Sequence, residues 1–243
     1  MELHDQLGER GEGARSRRRG LVAPRLGGVA YLNARPVLHG LLSERPPSLS
    51  LDVPSVLARG LAAGTLDAAL APVATLGLAA DLELAPDICI GCDGEVRSVL
   101  ILSERPLREL RALILDSHSR TSVVLARLVA AELRGGKSLD CIPGDHLRMR
   151  RDARGDVGAV VIGDEALRMR RRYPHVLDLG EAWKRWTGLP FVFAAWIARP
   201  GTLGPFTVAR LRASLEQGLI ARPDIAAQWA REHGGDARQH LRY

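Results

Sequence analysis

The sequence has no apolar run long enough to span a membrane. A spanning helix needs about 20 consecutive apolar residues, and no stretch of this 243-residue chain approaches that length without a charge. The N-terminal segment also lacks the apolar core of a secretion signal, because it is rich in arginine, glycine and acidic residues. We therefore expect a cytoplasmic protein that makes no membrane contact.

Aromatic residues are scarce, at 4% of the chain, although the net charge is +6. A nucleic-acid-binding domain typically clusters Lys and Arg on one face with aromatic side chains between them. Here the densest basic run, Arg168 to Arg172, lies beside Pro174 in a segment typical of a solvated helix end. We expect no nucleic-acid partner, and the positive charge favours attraction of an anionic metabolite.

Cysteine is also scarce, with three residues in the chain. Cys89 and Cys92 have the C-x-x-C spacing of a redox pair or of half a metal site. However, only Cys141 remains, and no paired-histidine motif completes four ligands. We interpret the pair as buried or half-buried thiols beside a strand, and we expect no metal.

Common cofactor and catalytic motifs are missing. The GGKS segment at 135–138 is not a phosphate-binding loop, because Ala131 stands where that loop needs its first glycine. No G-x-G-x-x-G follows a strand, and H-E-x-x-H, G-x-S-x-G and S-x-x-K do not occur. The sequence therefore gives no support for ATP or NAD binding, and we expect no cofactor.

Short apolar runs alternate with helical segments from Gly27 onward, which is the rhythm of an α/β fold. The run at 67–72 predicts a buried parallel strand. It follows a helix in the segment PSVLARGLAAG, where Ser55 is a candidate N-cap and Gly64 ends the helix.

The segment SRTSVVLARLVAAELRGG predicts the clearest helix of the chain. Its expected broad inner face consists of Val123, Val124, Leu128, Ala131 and the flanking Leu125, and Gly135 and Gly136 end it. Two further helices are predicted at 206–220 and 223–233.

Two apolar runs, at about 96–103 and 191–198, lack strict alternation and so fit strands covered on both faces. We interpret them as hinge strands that join two lobes around a cleft. The expected division is a flexible extension at 1–25, a discontinuous lobe 1 at 26–99 and 199–243, and lobe 2 at 100–198.

Polar residues follow several predicted strands, at the ends where α/β folds bind ligands. Ser119, Thr121 and Ser122 lie at a helix start, where free N–H groups and the helix dipole favour an anion such as a carboxylate. The alternative is that Ser119 only caps the helix while Arg120 faces solvent. His118 is a candidate general base, although a lone loop histidine more often has no chemical role.

Three further features allow two interpretations each. Asn33 follows the first strand and either contacts a ligand or caps a helix. Ser98, in the first hinge strand, either contacts a ligand or allows the lobes to pack closely. Trp183 and Trp186, spaced i, i+3, predict packing against the adjacent lobe, with stacking on an unsaturated ring as the alternative.

Several segments together resemble the menaquinone-biosynthesis family, whose fold is that of the type II periplasmic-binding proteins. They are GVAYLNARP, LDVPSVLARGLAAGTLDAALAPVATL, PDICIGCDGEVRSVLILS, LDSHSRTSV, VIGDEAL and DLGEAWKRWTGLPFVFAAWIARPG. The W-x-x-W-T-G-L-P-F-V-F run is the most specific, because no general structural reason makes it recur. The YLNARP and WTGLPF segments are closer to the chorismate dehydratase branch than to the sister branch that forms 1,4-dihydroxy-6-naphthoate.

The resemblance implies a two-lobed fold with two hinge strands and an inter-lobe cleft that binds chorismate. The implied reaction is loss of water to give 3-[(1-carboxyvinyl)oxy]benzoate in the futalosine route to menaquinone. It implies catalytic positions at Asn33 and Ser98, which orient the substrate and assist the departing hydroxyl. We further expect substrate contacts from Ser55, Arg97, Ser119, Arg120, Thr121, Ser122, Gly163 and Asp164.

The proton acceptor and the alternative function follow from the same segments. They place no His, Glu or Lys as an evident base, so our hypothesis is that a carboxylate of the substrate takes the ring proton in a closed cleft. A non-catalytic carboxylate-binding protein of the same fold remains the alternative.

Proteins of this family continue for further helices beyond the segment that ends here at GGDARQHLRY. We therefore expect lobe 1 to lack part of its C-terminal cover, which would expose apolar surface and lower stability.

Overall fold

The computed structural model describes residues 23–46, 48–116, 119–137 and 139–241. Its strands are β1 (Leu26–Val29), β2 (Leu49–Asp52), β3 (Ala68–Pro72), β4 (Glu83–Cys92), β5 (Val99–Ser103), β6 (Ala112–Asp116), β7 (Asp140–Gly144), β8 (Val157–Ile162), β9 (His175–Asp178) and β10 (Phe191–Ala198). Its α-helices are α1 (Arg35–Glu44), α2 (Pro54–Ala63), α3 (Thr121–Leu133), α4 (His146–Asp152), α5 (Gly163–Met169), α6 (Leu179–Thr187), α7 (Pro205–Ile220), α8 (Arg222–His233) and α9 (Ala237–Leu241). None of these helices combines the length and the apolar character needed to cross a bilayer.

The strands form two five-stranded sheets, in the orders β2-β1-β3-β10-β4 and β7-β6-β8-β5-β9. In the first sheet β1 runs parallel to β2 and β3, whereas β10 is antiparallel to β3 and β4. In the second sheet β6 runs parallel to β7 and β8, and β5 is antiparallel to β8 and β9. Each sheet and its helices form one lobe, so the predicted two-lobed α/β fold is confirmed.

The chain crosses between the sheets twice, through residues 93–98 before β5 and through residues 188–190 before β10. Each run predicted as a hinge strand therefore borders a crossing. The run 191–198, which the sequence analysis assigned to lobe 2, instead pairs with β3 and β4 in the first sheet. An apolar run covered on both faces does not itself indicate which sheet it joins, and this assignment is corrected by the strand pairing.

Strand alternation places two apolar clusters on opposite faces of the second sheet. In β5, Val99 and Ile101 belong to the cluster under α3 and α6, while Leu100 and Leu102 belong to the cluster under α4 and α5. Successive side chains of a strand point to opposite faces, so a strand covered on both faces is apolar throughout.

The inner face predicted for helix α3 is only partly correct. Leu125 is buried as predicted, and Val129, outside the predicted face, is buried too. Val124 and Leu128, predicted to face inward, are 49% and 45% exposed. Apolar residues lie on both sides of this helix, so its pattern could not choose between them. The structure shows Thr121 buried beside the cleft, which fixes the rotation of the helix.

The predicted helix ends are confirmed, but one predicted cap is wrong. Gly64, with a φ of 71°, ends α2, and Gly135 and Gly136 follow α3 with positive φ values. The N-cap residue of α2 is Val53 rather than Ser55. Because Pro54 is the first residue of the helix, Ser55 lies two positions beyond the N-cap position and cannot act as the cap.

Arg25 is anchored in the fold, so the flexible extension expected at 1–25 is too long. Its guanidinium donates to Asp67 Oδ2 at 3.0 Å and Asp67 Oδ1 at 2.7 Å, and to the Gly64 carbonyl at 2.7 Å. Its carbonyl also accepts from the backbone N–H of Asp67 at 2.9 Å. These bonds join Arg25, which precedes β1, to the end of α2 and to the start of β3. Residues 1–22 lie outside the described residues.

We expect Asp67→Asn to destabilise the protein near neutral pH by weakening this pair. Arg25 lowers the pKa of Asp67 below its ordinary value of 3.8, so the stabilisation is present above that value and is lost as pH falls through the lowered pKa. Thermal midpoints of the wild type and the variant should differ at about pH 7, begin to approach each other below about pH 4, and converge as pH falls through the lowered pKa of Asp67. The matched control is Asp140→Asn, since the Arg111–Asp140 pair is long at 3.6 Å and exposed. An undiminished difference in the acid range would contradict the role of the ion pair.

Candidate active site in the cleft between the lobes

A cavity of about 600 Å³ lies between the two lobes. Its wall comes from the ends of strands in both sheets and from the crossing segment 93–98. Cavities of this size hold small metabolites. Seven of the ten predicted site residues line it, namely Asn33, Arg97, Ser98, Ser119, Thr121, Ser122 and Gly163.

Three predicted contacts do not line this cavity. Ser55 is buried behind Pro54, which does line it, and Arg120 is the N-cap residue of α3. Asp164 instead lines a neighbouring cavity of about 760 Å³. Successive residues of a helix point about 100° apart, so Gly163 can face the cleft while Asp164 faces away from it. His118 lies outside the described residues.

Asp164 is a half-buried carboxylate in that neighbouring cavity. Its Oδ1 atom has no hydrogen-bond partner among the described residues. Burial raises the pKa of this group, and Arg168 and two histidines partly offset the effect. Asp164 thus lines the neighbouring cavity rather than the cleft.

The N-terminus of α3 borders the cavity and has no side-chain cap. The alternative that Ser119 caps this helix is therefore not observed, and the backbone N–H of Ser119 donates to the Asp116 carbonyl at 3.2 Å. Uncapped first-turn N–H groups, together with the hydroxyls of Thr121 and Ser122, suit an anionic group.

Thr121 also joins the two lobes. Its Oγ1 atom accepts a hydrogen bond from the backbone N–H of Ala74, in the 3-10 helix Val73–Leu78 of lobe 1, at 3.2 Å. The hydroxyl hydrogen of Thr121 remains available to a ligand. A ligand at this helix start would thus bind beside a contact between the lobes.

Asn33 lies in the 3-10 helix Leu32–Ala34 that precedes α1. Neither helix has Asn33 as its N-cap residue, and neither has a side-chain cap. The alternative role of Asn33 as a cap is therefore not observed, and its amide lines the cavity instead.

Tyr31 is a cavity residue that the sequence analysis missed. Burial raises the pKa of its hydroxyl to about 12, and Asp116 and Asp164 add to the effect. The hydroxyl is consequently a neutral hydrogen-bond donor at physiological pH. Its position shortly after the end of β1 at Val29 is the signal that could have identified it.

Ser98 and Gly163 bring the crossing segment against α5. Ser98 is 2% exposed, and its carbonyl accepts from the backbone N–H of Gly163 at 2.8 Å. Gly163 has a φ of 63°, a conformation that a side chain disfavours. The glycine therefore permits the turn from β8 into α5 at the wall of the cavity.

The side chains of the crossing segment carry the charges of the cleft. Arg97 Nε lies 3.0 Å from Glu95 Oε2, and Arg170 lies 3.1 Å from Glu95 Oε1. Arg97, and then Arg170, lower the pKa of Glu95. A carboxylate held between two guanidinium groups is a weakened base.

Trp183 packs against the other lobe at the second crossing, as predicted, whereas Trp186 is 44% exposed and contacts Trp183. Trp183 meets Phe191 edge to face with centroids 5.2 Å apart, and Phe191 meets Phe193 at 4.7 Å. Since Phe191 and Phe193 belong to the first sheet, this row packs α6 against the other lobe. Phe193 lines the cavity, but neither Trp183 nor Trp186 does, so the alternative of tryptophan stacking on a ligand is not supported.

Cys89 and Cys92 are free thiols in β4. Cys89 is exposed, contrary to the interpretation of the pair as buried or half-buried, whereas Cys92 is half-buried. Burial, with the nearby charges of Asp178 and Asp93, raises the pKa of Cys92 to about 11. In the described part of the chain no group of three or more His, Cys, Asp or Glu side chains could hold a metal.

We expect Cys92 to react with iodoacetamide far more slowly than Cys89. At pH 8 a thiol with a pKa of about 11 is ionised in only about one molecule in a thousand. Peptide mass spectrometry after a timed alkylation would measure the two rates, with exposed Cys141 as the internal control. Equal rates at Cys89 and Cys92 would show that Cys92 is neither buried nor held protonated.

The two sheets, the double crossing and the cleft between the lobes define a two-lobed ligand-binding fold of the periplasmic-binding-protein type. A protein from Archaeoglobus fulgidus shares this fold with a TM-score of 0.69 and 13% identity, over 90% of this chain and 86% of that chain. The periplasmic aliphatic sulphonate binding protein of Escherichia coli does so with a TM-score of 0.56 and 14% identity, over 91% of this chain and 78% of that chain.

Sequence comparison identifies the family within this fold. The family described as "Menaquinone biosynthesis" matches residues 24–243. A chorismate dehydratase from Thermus thermophilus is 30% identical over 229 residues, which covers 86% of this chain and 82% of that protein. The chain belongs to the menaquinone biosynthesis family, and the resemblance drawn from its motifs is confirmed.

Proposed function

We propose that this protein is a chorismate dehydratase, which removes water from chorismate to give 3-[(1-carboxyvinyl)oxy]benzoate in the futalosine route to menaquinone. The observation that carries the proposal is the convergence of Asn33, Ser98 and the uncapped start of α3 on one cavity. The similarity to a chorismate dehydratase supports it. The protein acts on its substrate without a cofactor.

Chorismate has two carboxylates, and the cleft has two places suited to them. One carboxylate binds the first turn of α3 through backbone N–H groups and the hydroxyls of Thr121 and Ser122. Arg97 attracts the other. Charge-assisted hydrogen bonds of this kind contribute on the order of 1.5–3 kcal/mol each.

The reaction removes the C3 proton and the C4 hydroxyl of chorismate as water, and the ring becomes aromatic. Asn33 and Ser98 orient the ring and hydrogen-bond to the departing hydroxyl. Their hydrogen bonds favour the transition state because charge develops on the leaving oxygen. Neither side chain is a base, so the proton needs another acceptor.

A carboxylate of the substrate is that acceptor. Of the titratable side chains in the described wall, Tyr31 and Cys92 are protonated at neutral pH and Glu95 is weakened as a base by Arg97 and Arg170. The substrate brings its own carboxylates into the same cavity. Closure of the lobes holds the reacting groups together and excludes water.

We expect purified protein to convert chorismate to the enolpyruvyl benzoate, and Ser98→Ala and Asn33→Ala to lower kcat/KM by about 100-fold or more, because each removes a hydrogen bond to the leaving hydroxyl. Chromatography of the reaction mixture measures product. Ser103→Ala is the matched control, since Ser103 is a buried serine at the far end of β5 that donates to the Arg105 carbonyl at 2.7 Å.

Asn33 offers an independent readout of binding, because it is the single asparagine of the chain. Selective 15N-asparagine labelling therefore gives one side-chain amide signal, which chorismate should shift. Binding without product from folded protein would favour the non-catalytic carboxylate-binding alternative. Product formation with no shift of the amide signal would remove Asn33 from the substrate contacts.

We expect Thr121→Val to raise KM for chorismate by about tenfold or more, because it removes a charge-assisted hydrogen bond and the acceptor for Ala74. Thr121→Ser retains the hydroxyl and should keep KM within a few-fold of the wild type. Steady-state kinetics on both variants measure the difference. Equal KM values for the two variants would contradict carboxylate binding at this hydroxyl.

A further inference from the structure

Asp178, the last residue of β9, holds the crossing segment with both carboxylate oxygens. The side chain is buried, at 6% exposure. Its Oδ1 atom accepts from the backbone N–H of Val96 at 3.0 Å, and its Oδ2 atom accepts from that of Arg97 at 2.7 Å. Asp178 is not among the residues that line the cavity.

The same carboxylate caps α6. Its Oδ1 atom also accepts from the backbone N–H groups of Gly180 at 3.0 Å and Glu181 at 3.1 Å. A Cβ atom on Gly180 would lie 2.5 Å from the Gly94 carbonyl oxygen, so the glycine permits the close approach of α6 to the crossing segment. One carboxylate therefore links three elements of the structure.

Arg97 needs such an anchor because its backbone conformation is energetically unfavourable. Its φ is 65°, in the left-handed region that residues with a side chain rarely adopt. Such conformations persist where the surroundings over-determine them, and they cluster at functional sites. The bond from the Arg97 N–H to Oδ2 is the shortest of the four that Asp178 accepts.

We propose that Asp178 is a positioning residue of the cleft. Its Oδ2 atom holds Arg97 in the left-handed conformation, and this places the Arg97 side chain and the adjacent Ser98 on the cavity wall. The proposal deepens the proposed function, and rests on it for the catalytic readout alone. Oδ1 caps α6 and Oδ2 holds Arg97, so a substitution that changes one oxygen can distinguish the two roles.

Asp178→Asn separates the two oxygens, because an amide has one acceptor and one donor. With its oxygen at the Oδ1 position it keeps the bonds from Val96, Gly180 and Glu181, while its NH2 group faces the Arg97 N–H without accepting. In hydrogen exchange we expect the Arg97 amide to lose protection about tenfold or more while the Gly180 and Glu181 amides stay protected. Turnover of chorismate should fall about tenfold or more, with the loss mainly in kcat through Ser98.

Asp145→Asn is the matched control. Asp145 caps α4 by accepting from the Arg148 N–H at 2.8 Å, and it does not line the cleft. This variant should leave both kcat and KM unchanged. Unaltered Arg97 protection and turnover in Asp178→Asn would overturn the proposal, as would equal loss of protection at Arg97, Gly180 and Glu181, which indicates a helix cap alone.

A comparison of Tm values tests the role of Asp178 even if a variant folds poorly. It also distinguishes failure of this proposal from failure of the proposed function. Glycine adopts a positive φ readily, so Arg97→Gly should shrink the drop in Tm that Asp178→Asn causes. An undiminished drop, or a double variant that also fails to fold, would overturn the anchoring role. Wild-type protein that makes no product contradicts the proposed function, whereas the exchange and Tm results decide the role of Asp178 without any turnover.

Discussion

The cleft depends on how the crossing segment 93–98 satisfies its backbone without a strand partner. Lobe 2 supplies the partners, since Asp178 accepts from Val96 and Arg97, and Gly163 donates to the Ser98 carbonyl. Because its backbone is hydrogen-bonded to lobe 2, the segment should move with that lobe. The helical turn that carries Asn33 belongs to lobe 1, so opening the lobes would separate Asn33 from Ser98 and closing them would bring both to one ligand.

The described wall of the cleft combines many neutral hydrogen-bond donors with little free charge. Tyr31, Ser98 and Thr121 are hydroxyl donors, and the charge of Arg97 is partly compensated by Glu95. Such a wall suits the carboxylates of the proposed substrate through its geometry and the dipole of α3. In the proposed reaction it would leave a carboxylate of the bound substrate free to accept the ring proton.

Most strands and helices could be predicted from the sequence. The predictions that were incomplete or wrong have physical causes. Strand β4 was not predicted, because Pro86 and the positive φ of 63° at Asp87 interrupt its alternation. The inner face predicted for α3 was only partly correct, because apolar residues surround the helix. Asp178 was passed over because a carboxylate at the end of a short strand resembles an ordinary helix cap until its second oxygen is located.

The sequence by itself determined the α/β rhythm, the glycine-terminated helices and the polar residues at strand ends, because these depend on neighbours a few positions apart. Only the tertiary structure decided that β10 joins the first sheet, that Asp164 faces a second cavity and that Tyr31 faces the first. These outcomes depend on contacts between residues far apart in the chain. Local periodicity carries no information about such contacts, which are set by the packing of two lobes around two chain crossings.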